Sequence, residues 1–364
     1  MTVNYSLQLS NSKPWALFRI LLKWHGSIWK LVLIEFFIFL LSFLLINILL
    51  NNVLSKSMQK CVFLKTLKMI PIEFMLGFFV QAIITRWQKM IQNIGFIDRF
   101  VSLYLFYNYV RGNTDYSRML RRNIVRYICL AQVLASRNIS TAVRKRFPTI
   151  ESIAEAGKNI ILRCIQSFLY NNLTLNSDLG SKLWIPVQWA LSIVYRARQE
   201  QLIESDYFCD RICEEIRNFR NSLGTLCKFD WVPLPLAYPQ LVYLAVHVHF
   251  LITVISRQVI IEDDKAHIIN ITTKVTVQFF FYMAWTKVAM VLINPFGEDD
   301  DDFETNALID RNFKFGMRIA DVTTNDTPWQ LKDSFWNHDV ESLCNEESSK
   351  ANQDGSMGST VRFR

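Results

Sequence analysis

The sequence predicts an all-α, polytopic membrane protein with four transmembrane helices and a large helical cytoplasmic domain. Three observations predict it. Of its 364 residues 51% are hydrophobic, with 27 Phe and 10 Trp, which is rich for a soluble chain, yet 20% are charged, too many for one made only of spans. The apolar residues gather into four runs of about twenty, the length needed to cross the hydrocarbon core of a bilayer. Residues 86–146 hold twelve Lys and Arg against only Asp98 and Asp115, about +10 in a chain whose net charge is +8. A basic block beside an apolar run marks the cytoplasmic side. Nucleic-acid binding is the other reading of such a block, but no recognisable module is present and the spans argue against it.

Residues 1–30 form a polar, then amphipathic, cytoplasmic segment with Lys13, Arg19, Lys23 and Lys30. It has no short apolar core followed by a small-residue cleavage site, so it does not read as a secretory signal. The next segment, residues 31–85, holds two spans, Leu31–Leu50 and about Phe63–Ile84, joined by a polar loop at 51–60. Basic residues flank the start of the first and the end of the second, so both flanks lie in the cytoplasm and the loop outside. Residues 86–230 contain no run that could span. Periodic apolar positions there give amphipathic helices at 117–131, 183–198 and 206–223, the helical cytoplasmic domain. Residues 231–293 hold the third and fourth spans, near 231–256 and 271–293, with Pro233, Pro235 and Pro239 kinking the start of the third. His247 and His249, two apart on a helix, point in different directions and read as separate packing positions rather than a metal pair. Four spans leave both termini in the cytoplasm. Residues 307–364 read as a polar tail with the composition of an extended segment docked on a surface. The seven cysteines show no metal spacing and read as reduced thiols.

Between the fourth span and the tail lies the most informative stretch, residues 294–306, Asn294-Pro-Phe-Gly-Glu-Asp-Asp-Asp-Asp-Phe-Glu-Thr-Asn306. Six of the seven residues from Glu298 to Glu304 are acidic in a basic protein. Such a cluster repels itself unless a cation is bound, and a hard divalent ion suits it, because Ca²⁺ takes six to eight oxygen ligands. Pro295 and Gly297 turn the chain, and the last turn of the preceding helix offers carbonyls without an intrahelical partner. The EF-hand spacing is absent. Taken alone, the run also reads as a solvated acidic linker. No catalytic constellation accompanies it: there is no Gly-rich phosphate loop, nucleophile motif or H-E-x-x-H. The sequence therefore points to transport or regulation rather than to an enzyme.

The stretch 294–306 closely resembles the signature of the bestrophin family of calcium-activated anion channels. Ser140-Thr-Ala-Val-Arg-Lys-Arg-Phe-Pro148 and Tyr5-Ser-Leu-Gln-Leu-Ser-Asn11 resemble the same family. The resemblance implies a homopentamer around a central pore in a lipid bilayer, expected at the plasma membrane, with chloride or another monovalent anion as the permeant ion. It implies regulatory Ca²⁺ held by the carboxylates of Asp299 and Asp302 and the backbone oxygens of Val291, Asn294 and Ser10, the last from a neighbouring subunit. Glu298, Asp300, Asp301 and Glu304 would shape the loop's field or pair with basic residues. Ile70, Phe74 and Phe78, at i, i+4 and i+8 of the second span, match the family's hydrophobic neck, with Gly77 allowing close helix approach beside it. A second, cytoplasmic constriction falls at Tyr207. Glu73 stands where the family has a small polar residue and Lys274 where an aromatic is more typical. Their depths in the membrane permit an ion pair. The alternative is that both face water separately, Lys274 snorkelling outward and Glu73 lining the vestibule, where five glutamates would weaken anion selectivity. Ser356-Met-Gly-Ser-Thr360 resembles a fragment of the family's inhibitory tail, but Gln353-Asp-Gly355 replaces the basic residues of a kinase site, so tail inhibition is expected to be weak. Two rival readings stay open: a pore-less membrane subunit that regulates another channel, and a pathway mainly for bicarbonate or organic anions.

Overall fold

The computed structural model describes residues 14–53, 71–97, 110–112, 114–149, 152–153, 155, 183–256, 265–321, 331–332 and 336–337. Ser10, Ile70 and the tail stretch at 353–360 lie outside them. Every regular element among the described residues is a helix: α1 (Pro14–Leu21), α2 (Ile28–Val53), α3 (Ile72–Gln92), α4 (Asp115–Ile139), α5 (Thr141–Arg146), α6 (Trp184–Gln199), α7 (Asp206–Trp231), α8 (Ala237–Ser256), α9 (Lys265–Ile293) and α10 (Thr305–Asp321). The chain divides into a unit at 1–322 and a second at 323–364. Of the second, the described part is one contact, the Lys332 ammonium 5.2 Å from the Trp336 ring.

Three described helices are long and apolar enough to cross a membrane, over Ile28–Leu49, Ala237–Ser256 and Thr272–Ile293. The second of the four expected spans begins outside the described residues, and its described part is the start of α3. α2 stays helical for 26 residues because no glycine or proline interrupts it. α8 begins only at Ala237, since Pro233 and Pro235 cannot continue α7. The spans pack through aromatic rings: Phe39 of α2 stacks on Phe279 of α9 at 3.9 Å between centroids, and Phe250 of α8 meets Phe279 edge-on at 4.8 Å. Leu76, Phe79, Val80 and Ile83 of α3 form a second cluster with Val242 of α8 and Ala289 of α9. The opposite faces of these helices stay apolar and exposed, for example Ile34, Leu41 and Ile48 on α2 and Leu244 and Leu251 on α8. Exposed apolar stripes of this size belong against lipid or another subunit.

α4 is the centre of a helical unit, with α6, α7 and α10 packed around it. Thr114 caps it by accepting the Ser117 N–H at 3.3 Å, and Ser205 does the same for α7 through the Phe208 N–H at 3.4 Å. Three of the polar side chains inside this core form a bonded set with the backbone. Arg121, 1% exposed, donates to the carbonyls of Ala320, Val110 and Gly112 at 3.0–3.1 Å. Gln132 and Asn312 both donate to the carbonyl of Gly95 at 2.9 Å, and Asn312 also donates to Gln132 Oε1. Gly95 itself sits at φ +83°, where a side chain would be strained. These bonds pin the end of α3 to α4 and α10.

The structure corrects the reading of residues 307–321 as an extended segment: α10 is a helix of 17 residues. Its buried positions, Leu308, Ile309, Asn312, Gly316 and Ala320, follow helical spacing. α7 is also longer than expected, running on from 223 to Trp231. There Arg86 of α3 donates to the carbonyls of Phe229 and Val232 and lies over the Phe229 ring at 5.2 Å. α3 is thereby tied to the end of α7.

Candidate permeation path and cation site

The acidic stretch folds into a tight loop between α9 and α10. Pro295 has no N–H, so the carbonyl of Val291 loses its i+4 donor at the last turn of α9. The loop then closes on itself. Phe303 N–H donates to the Pro295 carbonyl at 2.8 Å, and Asp302 N–H to the Asp299 carbonyl at 3.1 Å. Asp302 is buried, 6% exposed, and its Oδ2 accepts the Asp299 N–H at 2.7 Å. Burial raises the pKa of the Asp302 carboxyl, and the neighbouring carboxylates Asp299 and Asp301 raise it further.

Basic residues hold alternate acids of the loop. Lys145 of α5 pairs with Glu298 and lowers its pKa. Lys30 of α2 reaches Asp300 at 2.6 Å and lowers its pKa, with His25 at 3.4 Å and the Gly26 N–H also at 3.4 Å on the same oxygen. By contrast, no cationic side chain among the described residues lies within ion-pair distance of Asp299 or Asp302. Two carboxylates, the Val291 carbonyl and the Asn294 carbonyl are hard oxygen donors that fit a calcium ion. No set of three or more His, Cys, Asp or Glu placed to hold a metal occurs among the described residues. A cation here would therefore draw much of its shell from backbone oxygens.

Phe74 and Phe78 are exposed, 66% and 59%, with ring centroids 4.4 Å apart on the face of α3 opposite its buried residues. The same face continues inward as Gln81 and Gln88. A Cβ added at Gly77 would meet no atom within 4 Å inside the subunit, so the surface beside this glycine is open there. Tyr207 lies exposed in the first turn of α7, edge-on to Phe208 at 5.7 Å.

The expected Glu73–Lys274 pair is absent among the described contacts. Glu73 instead accepts the Tyr282 hydroxyl at 2.5 Å. Tyr282 lies eight residues from Lys274, about 12 Å along α9, too far for Lys274 to share that contact. The sequence reading missed a different charge pair, Lys287 of α9 with Glu35 of α2. Depth could have revealed it. Glu35 is seven residues from the start of α2 and Lys287 six from the end of α9, ends that Lys30 and Asp300 join. His247 binds the Tyr243 carbonyl at 2.7 Å and His249 packs on Phe250, so the two rings occupy separate places.

Comparison with known proteins places these features in context. The family profile described as "Bestrophin, RFP-TM, chloride channel" matches residues 1–322. Bestrophin homolog 1 of Caenorhabditis elegans is 45% identical over 100% of this chain and 82% of its own length. Bestrophin homolog 2 of the same organism is 44% identical over 99% of this chain and 87% of its own. Solved structures of a bacterial bestrophin homologue from Klebsiella pneumoniae superpose with TM-scores of 0.59 and 0.60 at 13% and 15% identity, covering 79% of this chain and 98% of theirs. At that identity they speak for the fold alone.

Proposed function

Because this chain belongs to the bestrophin family, we propose that it is a calcium-gated channel for chloride and other monovalent anions. In this reading it works as a homopentamer in the plasma membrane with both termini in the cytoplasm. Five copies of α3 would surround the pore, and Ile70, Phe74 and Phe78 would form its hydrophobic neck. An apolar constriction closes by dewetting and, when wide, favours anions that shed water readily. The positive edges of the phenyl rings suit such ions. Tyr207 would line a second constriction on the cytoplasmic side.

The observation that carries the gating proposal is the reach of one helix. α9 is bonded to the neck helix through Tyr282 and Glu73, and eleven residues later it ends in the acidic loop. Asp299 and Asp302, with the backbone oxygens of Val291, Asn294 and Ser10, would hold the ion. Bound there, calcium would supply the positive charge that these oxygens lack. The loop would favour one of two positions of α9 only by the difference in its affinity for the ion between them. The acids already paired, Glu298 and Asp300, would fasten the loop to α5 and α2.

Reconstitution of the purified protein in a planar bilayer tests this. Anion current is expected with calcium on the loop side and none in chelator. Absence of calcium-dependent anion current would leave the pore-less regulatory role instead. Asp302→Asn should shift the calcium requirement upward while the oligomer still assembles.

A further inference from the structure

We propose that Glu73 is a specificity-determining residue of the pore: a fixed negative charge beside the phenylalanine neck, held by Tyr282, that lowers the preference for anions over cations. The proposal rests on the channel reading above.

Glu73 directly precedes Phe74 and is itself exposed. At 100° per residue it lies about a third of a turn round α3 from the phenyl face. Gly77, one turn further on, lies between those two directions, and the space beside it is open. No side chain at 77 therefore covers the carboxylate on the flank nearest the neck.

The carboxylate is also fixed. Tyr282 donates to it at 2.5 Å, the short distance of a bond to a charged acceptor. The ring of Tyr282 is set in turn by Phe250 and His249 of α8, at 6.0 and 6.5 Å between centroids. One oxygen is thereby held while the residue stays open to solvent.

Among the described residues nothing cancels the charge. No cation among them lies within ion-pair distance of Glu73, and Lys287, five residues beyond Tyr282, is bound to Glu35. The two acids are thus treated differently among the described residues: Glu35 is paired with a lysine, Glu73 with a hydroxyl. An unpaired carboxylate inside a membrane is costly unless water reaches it. Its place beside Phe74 and the open space at Gly77 puts that water on the permeation path. Rings of acidic side chains draw cations into pores, so five copies would oppose anion entry.

The test is the chloride-to-sodium permeability ratio, from reversal potentials in asymmetric NaCl with the reconstituted full chain. Glu73→Gln should raise the ratio at least about threefold, and Glu73→Asp, which keeps the charge, should leave it near wild type. Tyr282→Phe should keep the ratio on the wild-type side while lowering thermal stability, which separates the charge from the tether. The unmutated protein gives a second reading. A fixed charge is screened by salt, so its ratio should rise between about 0.1 M, where the Debye length is about 10 Å, and about 1 M, where it is about 3 Å. A Glu73→Gln channel that gates normally with an unchanged ratio overturns this inference alone, as does a wild-type ratio indifferent to salt if the variant does not fold. Wild-type protein without anion current overturns the channel reading and this inference with it.

Discussion

Asp302 Oδ2 accepts the backbone N–H of Asp299 at 2.7 Å, and a Cβ built on Gly297 would lie 2.7 Å from that same oxygen. The bare backbone at 297 is therefore what lets the buried carboxylate turn toward 299. Gly297→Ala should push Asp302 out of this position. We predict a calcium requirement raised about tenfold or more, with a fold destabilised by about 1 to 3 kcal/mol. Current–calcium curves and thermal melts in chelator read the two effects separately. An unchanged curve would mean that the carboxylate's position is not what the gate senses.

The proposed neck makes a second prediction. Phe74 and Phe78 are exposed in the subunit and touch each other, so truncating both removes little intramolecular packing. With Ile70 changed as well, the triple alanine variant should fold, assemble and conduct without calcium. Persistent, full calcium dependence of its current would place the gate elsewhere on the path.

What the sequence made legible was whatever depends on local pattern. The spans at α2, α8 and α9 announce themselves through unbroken apolar runs, and the acidic loop through composition. α10 did not, because the highly charged loop before it and the asparagine at its buried centre hide its apolar stripe. Asn312 is buried only because Gly95 and Gln132, far off in sequence, satisfy its amide. The partner of Glu73 was misjudged for the same reason. Charge suggested Lys274, but the hydroxyl that reaches it belongs to Tyr282, two turns away on the same helix. Partnerships of this kind are set by packing, which periodicity does not encode.

The Glu35–Lys287 pair joins α2 to α9 within their apolar stretches. Removing one partner leaves a charge in a poor solvent, which costs more than the pair itself contributes. Lys287→Met and Glu35→Gln should each destabilise the fold, by about 1 to 3 kcal/mol at this partial exposure, and the double variant by less than their sum. Thermal melts of the four proteins in one detergent give the coupling. Strict additivity would show that the two groups are solvated independently.

Acid should loosen α10. Arg118 of α4 donates from Nε to Asp321 Oδ1 at 2.8 Å, with Arg122 at 3.6 Å on the same oxygen. The hydrogen bond from Arg118 holds the Asp321 carboxyl below the usual carboxylate range. A group whose pKa is depressed on folding contributes stability above its unfolded value, near 3.9, and loses it as pH falls through the folded value. The contribution is therefore complete at neutral pH and disappears only in strong acid. Both side chains are partly exposed, so salt should weaken it. Asp321→Asn should lower the melting temperature at pH 7, and its gap to wild type should narrow below about pH 4 and at high salt. A gap of constant size across that range would mean that Asp321 acts through packing at the end of α10 and not through its charge.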